Sequence, residues 1–295
     1  MLTHSIARFP ASYTRIVIID AHTHIFPPEI ADNREAYLAA DATFAELYAS
    51  PKAKLATAAD LLASMDAASI DVSIALGFAW SDPETVRLHN DYLLEAAAVS
   101  GGRILPFCSL PLGSGIDQVE AEARRCNGAG APGFGELRPD NLDFDLAGED
   151  GRRLGRLAQE LGSVLLFHVS EPAGHAYHGK QGLELGAFYA FVRDHPEVRV
   201  IGAHWGGGLP FYALMPEVRL ALHYASVDTA GTSLLYEPDV YTHVATLIGA
   251  ERILFGSDYP LLSQSRSRAR IEAAVDAETA SLILGANAQR LLRLE

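Results

Sequence analysis

Eight short runs of β-branched and apolar residues recur along this 295-residue chain, each followed by a stretch with helical character. That alternation excludes all-α and all-β architectures and points to βα units. The runs are 15–20 (RIVIID), 70–76 (IDVSIAL), 103–110 (RILPFCSL), 133–138 (GFGELR), 163–169 (SVLLFHV), 198–204 (VRVIGAH), 223–228 (HYASVD) and 252–258 (RILFGSD). Between them lie helical patterns such as ADLLASMDAAS, RRLGRLAQELG and ELGAFYAFVRDHPE, many ending at Gly or Pro. Eight is the number of units that closes a barrel. The expected fold class is therefore α/β, a (β/α)8 TIM barrel, with residues 1–295 as a single domain. One stretch departs from the pattern: Phe26 to about Leu55 holds paired prolines, charges and aromatics without a clean period. It is read as a first βα loop extended into a lid. No internal repeat or Gly/Ser/Pro-rich linker divides the chain.

A chain of this length buries roughly three quarters of its unfolded surface, so it needs no metal to stabilise a core, and a bound metal would be functional. Lys and Arg total 23 against 37 Asp and Glu, a formal net charge of −14. Such a chain repels polyanions, and nucleic acid is not an expected partner. Its one dense basic stretch, Arg266, Arg268 and Arg270, reads as a solvated helix start. Cys108 and Cys126 are too few for a disulfide framework and suit the role of small buried hydrophobes, so a reducing cytoplasm is the expected location. Arg8 and Arg15 interrupt what would have to be the apolar part of a signal peptide, and no segment approaches about 18 apolar residues. Neither export nor a membrane partner is expected.

Chemistry-bearing residues cluster at the ends of the runs. His22 and His24 follow the first run in DAHTHIF, two residues apart, so on a strand both imidazoles face one side. His168 ends the fifth run, His204 the sixth and Asp258 the eighth. In a barrel, strand C-termini ring one mouth, and residues far apart in sequence converge there. Imidazole nitrogens with a carboxylate suit Zn2+ first, with other divalent first-row ions also possible. Glu136, near the end of the fourth run, is placed beside the same mouth, where it could bind or bridge a second ion, or simply pair with Arg138. A carbamylated lysine cannot serve there, because the chain's three lysines are Lys52, Lys54 and Lys180.

The ordered set DAHTH, FHVSEP, GAHWGGG, ILFGSDYP and ILGANAQRLL resembles the amidohydrolase superfamily, spanning Ile19 to Leu292. Within it, the set is most similar to amidohydrolase family 2, the branch with aminocarboxymuconate semialdehyde decarboxylase-like proteins. The resemblance implies that His22, His24, His168 and Asp258 ligate a catalytic metal and that His204 assists as acid or base. Glu136 departs from the decarboxylase pattern and is similar to the metal-dependent deoxyribonuclease branch. One ion is expected, or two if Glu136 and His204 join the coordination. Several relatives in this branch are dimers, so a homodimer, with the lid as interface, is also an expectation.

The reaction expected first is hydrolysis. A bound divalent ion lowers the pKa of its water toward about 7, Asp258 shuttles the proton and His204 polarises the scissile carbonyl. The bond would be C–N or C–O in a small carboxylated compound. The alternative is nonoxidative decarboxylation of an aromatic or dienoic acid, suggested by the HWGGG and GSDYP segments. Weaker readings are a non-catalytic metal- or ligand-binding barrel and a deoxyribonuclease, the latter opposed by the net charge. Arg138 lies on the same face as Glu136 and could fork onto a substrate carboxylate. His175, Tyr177 and His178, with Lys180, belong to a loop beside the mouth where substrate contacts are expected. Gly206–Gly208 reads as close backbone approach or tight turning rather than nucleotide binding. No role is assigned to His89, His195 or His243.

Overall fold

The computed structural model describes residues 17–294, so Arg8, Arg15 and the start of the first run lie outside the described residues. Among the described residues there are eight strands: β1 (Ile19–His24), β2 (Val72–Leu76), β3 (Ile104–Cys108), β4 (Gly133–Leu137), β5 (Val164–Phe167), β6 (Arg199–Gly202), β7 (Ala225–Asp228) and β8 (Ile253–Leu254). They form one sheet in the order β1 to β8, and every pair from β1·β2 to β7·β8 is parallel. Irregular backbone joins the ends, with Ala21 N donating to Phe255 O at 2.7 Å and His24 N to Tyr259 O at 2.7 Å. The result is the expected barrel with helices between strands, and its mouth lies at the strands' C-terminal ends.

The first and last strands differ from their hydropathy runs. β1 begins four residues later than the first run and carries the DAHTH motif inside the ladder. Its polar side chains are tolerated because a neighbouring strand, the segment after β8 and a helix satisfy them. Thr23 Oγ1 donates to Ile74 O at 2.7 Å, and Asp20 accepts from Ser257 N at 2.9 Å and Gln264 Nε2 at 2.9 Å. β8 is only two residues long, because Phe255 N turns away to Ile283 O at 2.9 Å.

The segment after β1 is not the loop expected from its lack of period. It folds as three short helices, Pro28–Asp32, Arg34–Ala40 and Ala42–Tyr48. Their order comes from an aromatic cluster shared with the β2 loop, in which the rings of Phe44 and Phe78 pack tilted against Trp80 at 4.8 and 4.7 Å between centroids. Each such pair adds roughly 0.5–1.5 kcal/mol beyond area burial. Asp41 caps the third helix, accepting from Phe44 N at 2.8 Å, and also binds Ser81 N at 2.8 Å. His89 belongs to this packing, accepting from Trp80 Nε1 at 3.0 Å and donating to Ile25 O at 2.7 Å. Glu46 latches the insertion to the loop after β5 by accepting from Gly179 N at 2.7 Å.

Cys108 and Cys126 are free, buried and part of one apolar cluster. Arg268 sits on the helix Gln264–Ala274, where it pairs with Glu272. No helix among the described residues is long and apolar enough to cross a membrane.

Candidate metal centre

His22 and His24 project from β1 to the same side, and their Nε2 atoms are 3.1 Å apart. The orientation of His22 is set from behind. Its Nδ1–H donates at 2.8 Å to Oδ2 of Asp228, a fully buried carboxylate at the end of β7. The other Asp228 oxygen accepts from His204 N and Ala230 N, each at 3.0 Å. With Nδ1 holding the proton, the lone pair of a neutral His22 ring faces the mouth from Nε2. Asp258 Oδ1 lies 3.8 Å from His22 Nε2 and 3.7 Å from His24 Nε2.

An ion bound at about 2.0–2.2 Å needs ligand atoms roughly 3–4 Å from one another. His22, His24 and Asp258 meet that requirement, as do His22, Glu136 and His204, each trio having its ligand atoms within 4.8 Å of one another. The donor set therefore fits a divalent cation, and His22 is common to both trios. His168 is in neither. It lies between Glu136 Oε1 and Gly179 O, each at 2.8 Å, and a neutral ring can donate to only one of these acceptors. It reaches the cluster through Glu136 and through His204 Nε2, 3.2 Å from its Nδ1.

Backbone geometry aims two of these side chains. His204 and Asp258 have φ of 55° and 66°, a region that costs a non-glycine residue of order 1 kcal/mol or more. Both are held there by hydrogen bonds, His204 N to Asp228 and Asp258 N to His22 O at 2.9 Å. The glycines after His204 continue the tight turn with φ of 57°, 59° and 82°, in line with the turning expected of them.

Charge in the cluster is dominated by carboxylates. Burial alone would depress His22, but Asp228, Glu136 and Asp258 raise it to about 10. His204 is likewise raised to about 8, burial being outweighed by its hydrogen bond to Glu136. Burial and the neighbouring His22 lower His24 to about 4, while burial and Arg138 lower His168 to about 4. Burial would raise Glu136, but His168, His22 and His204 hold it well below the ordinary carboxylate range. Without metal, protons supply the cationic charge this site attracts.

Metal uptake should therefore displace a proton. Because His22 titrates near 10 in the metal-free protein, ligation through Nε2 at pH 7 is expected to release about one proton per ion. The apparent association constant should then rise about tenfold per pH unit below that value. Calorimetry in buffers of different ionisation enthalpy measures the release directly, and a pH-independent affinity would contradict it.

Above the donors opens a cavity of ≈ 390 Å³ lined by His24, Glu136, Arg138, His168, His204 and Asp258, and by His175, Tyr177 and His178 from the loop after β5. The expected pairing of Arg138 with Glu136 does not form. Instead Arg138 Nη2 donates to the carbonyls of Gly179 and Gln181. Tyr177 donates to Glu171 at 2.8 Å. Two buried carboxylates of the site escaped the sequence reading: Asp228, although it ends the seventh run as Asp258 ends the eighth, and Asp20, which binds the backbone of His22 and Ser257. Leu47, Tyr48 and Phe78 were also unforeseen as part of the wall.

The sequence is 25% identical over 261 residues to γ-resorcylate decarboxylase of Rhizobium radiobacter, an alignment covering 72% of this chain and 77% of the relative. The fold is similar to that of 5-carboxyvanillate decarboxylase LigW from Sphingomonas paucimobilis, with a TM-score of 0.79, 15% identity, and coverage of 95% and 100% of the two chains. It is also similar to a dihydroxybenzoic acid decarboxylase from Polaromonas sp. JS666 with bound manganese and the inhibitor 2-nitroresorcinol, with a TM-score of 0.73, 18% identity, and coverage of 95% and 98%. The sequence model of the amidohydrolase family matches residues 19–294, which takes in all eight strands and every residue of the site. This chain is an enzyme of the amidohydrolase family.

Proposed function

We propose that this enzyme is a metal-dependent nonoxidative decarboxylase of a small aromatic acid. The observation that carries the reading is the two-sided cavity. Its floor is the histidine and carboxylate cluster, and its wall is apolar and aromatic, with Leu47, Tyr48, Phe78, Leu234 and Leu235. A planar ring laid against that wall presents its carboxylate to the floor. Burial penalises a carboxylate but not carbon dioxide or a neutral arene, so this setting favours loss of CO2. The decarboxylase names of the relatives support the same choice over hydrolysis, the reaction expected first from sequence.

His22, His24 and Asp258 would hold the ion, with Glu136, His204 and His168 beside them. The ion, when bound, supplies the positive charge that neutralises and orients the substrate's oxygens. Asp258 lines the cavity and carries the proton to the ring carbon. As the bond to the carboxyl carbon breaks, the electron pair it leaves on the ring takes up that proton, and CO2 departs. His204, beside Glu136, holds a proton in reserve for Asp258. Zinc suits the imidazole-rich set, and manganese is the ion named with the Polaromonas neighbour.

The test is to load the protein with Zn2+ or Mn2+ in parallel and offer hydroxylated benzoic acids, including 2,6-dihydroxybenzoate and 5-carboxyvanillate, alongside amides and lactones. The expected result is CO2 release matched mole for mole by the arene, abolished by a chelator and restored by the ion. Hydrolysis of an amide or lactone with no CO2 from any aromatic acid would instead restore the hydrolase reading.

A further inference from the structure

Arg138 is a buried cation without a matching anion. It is 3% exposed and lines the cavity two residues beyond Glu136. Its Nη2 donates to two neutral carbonyls, Gly179 O and Gln181 O, and its Nε–H has no hydrogen-bond partner among the described residues. The carboxylates that act on it electrostatically are occupied elsewhere. Glu136 Oε1 meets His168 at 2.8 Å and His204 at 3.2 Å, and Glu46 Oε1 accepts from Gly179 N at 2.7 Å. A guanidinium removed from water and bonded only to neutral oxygens leaves most of its desolvation cost uncompensated. A carboxylate docking on its fork would compensate it.

The position of this cation sets what it can receive. Glu136 and Arg138 are alternate residues at the end of β4, so their Cα atoms are roughly 6–7 Å apart. Two carboxylates across a benzene ring are separated on the same scale. Leu47 and Gly179 line the cavity together with Arg138 and leave no room for a side chain at Gly179.

We infer that Arg138 receives a second anionic group of the substrate, and that the preferred acid is an aromatic dicarboxylate with one carboxylate at the His22, His24 and Asp258 cluster and the other on Arg138. The inference rests on the decarboxylase reading for its substrate class, but the anion site can be tested without turnover.

Isophthalate and benzoate differ by one carboxylate, and titration calorimetry on the metal-loaded protein compares them directly. Isophthalate is expected to bind at least about 100-fold more tightly, the scale of a desolvated charge pair. In Arg138→Gln the ratio should fall toward about 1, and in Arg138→Lys, which keeps the charge without the fork, it should fall at least about tenfold. The same pattern is expected in kcat/KM for 4-hydroxyisophthalate over 2-hydroxybenzoate. Metal content and melting temperature establish that each variant is folded, and Arg138→Lys carries the test if Arg138→Gln is not. Equal binding of the two acids, or a preference that survives substitution in a folded, metal-replete variant, overturns the proposal. Arg138-dependent binding of isophthalate with no CO2 from either hydroxy acid sustains the anion site and counts against decarboxylation. Efficient CO2 release from the monoacid with no dependence on Arg138 has the opposite meaning.

Discussion

Alanine at His22 and His24 together is expected to abolish binding of a divalent ion and to lower the proposed decarboxylation by about four orders of magnitude. The size follows from losing several kcal/mol of charge stabilisation at about 1.36 kcal/mol per tenfold in rate. The two Nε2 atoms are 3.1 Å apart, and His22 belongs to both trios that could hold an ion. With both imidazoles gone neither trio is complete: Asp258 is left alone from the first, Glu136 and His204 from the second, and His168 lies between Glu136 and Gly179. Elemental analysis of the purified variant, with kcat/KM on the best acid from the panel, checks both halves. Retained metal with normal turnover would remove His22 and His24 from the centre. The substitution also takes from the buried Asp228 its partner His22, so the melting temperature of the variant is measured alongside to establish that it is folded.

Asp258→Asn is the second large effect, and it separates proton delivery from metal binding. Asn keeps a side-chain oxygen and nearly the same volume, so the ion should remain, whereas the amide cannot carry a proton to carbon. Loss of a general acid typically costs about 10²–10⁴ in rate. Turnover in D2O supplies an independent readout: the wild-type arene should carry one deuterium at the carbon that lost its carboxyl group. If Asp258→Asn stays within tenfold of wild type with metal bound, another group delivers that proton. His204 would then be next in line, since its Nε2 lies 3.2 Å from Glu136 and it borders Gly231 together with Asp258.

Much of the site was legible because a barrel converts strand order into position. His22, His24 and Glu136 lie in the last three residues of their strands and Asp258 follows β8, and eight strands in sequential order leave one mouth for them to share. The errors at strand boundaries have a common cause. Hydropathy ends the first run at Asp20, but the ladder continues through His24 because Ile74 O, Ser257 N and Gln264 satisfy the polar side chains. Those partners come from distant parts of the chain, and no local window contains them. Asp228 was missed for a related reason. A run ending in Asp is no signal until that carboxylate is found 2.8 Å behind His22.

By itself, the sequence determined the number of βα units and the barrel they close, since periodicity is a local property of the chain, and it placed a set of histidines and carboxylates at the ends of the runs. Only the tertiary structure decided which of those residues converge and which are drawn aside. His22, His24 and Asp258 meet, His168 is divided between Glu136 and a carbonyl, and Arg138 turns from the carboxylate two residues before it toward Gly179 and Gln181. It also decided that the segment after β1 folds as helices whose Leu47 and Tyr48 form part of the cavity wall. The physical reason is the same in each case. Burial makes every unpaired charge and every unfilled apolar face costly, so partners are chosen by distance in the folded chain, which spacing along the sequence does not encode.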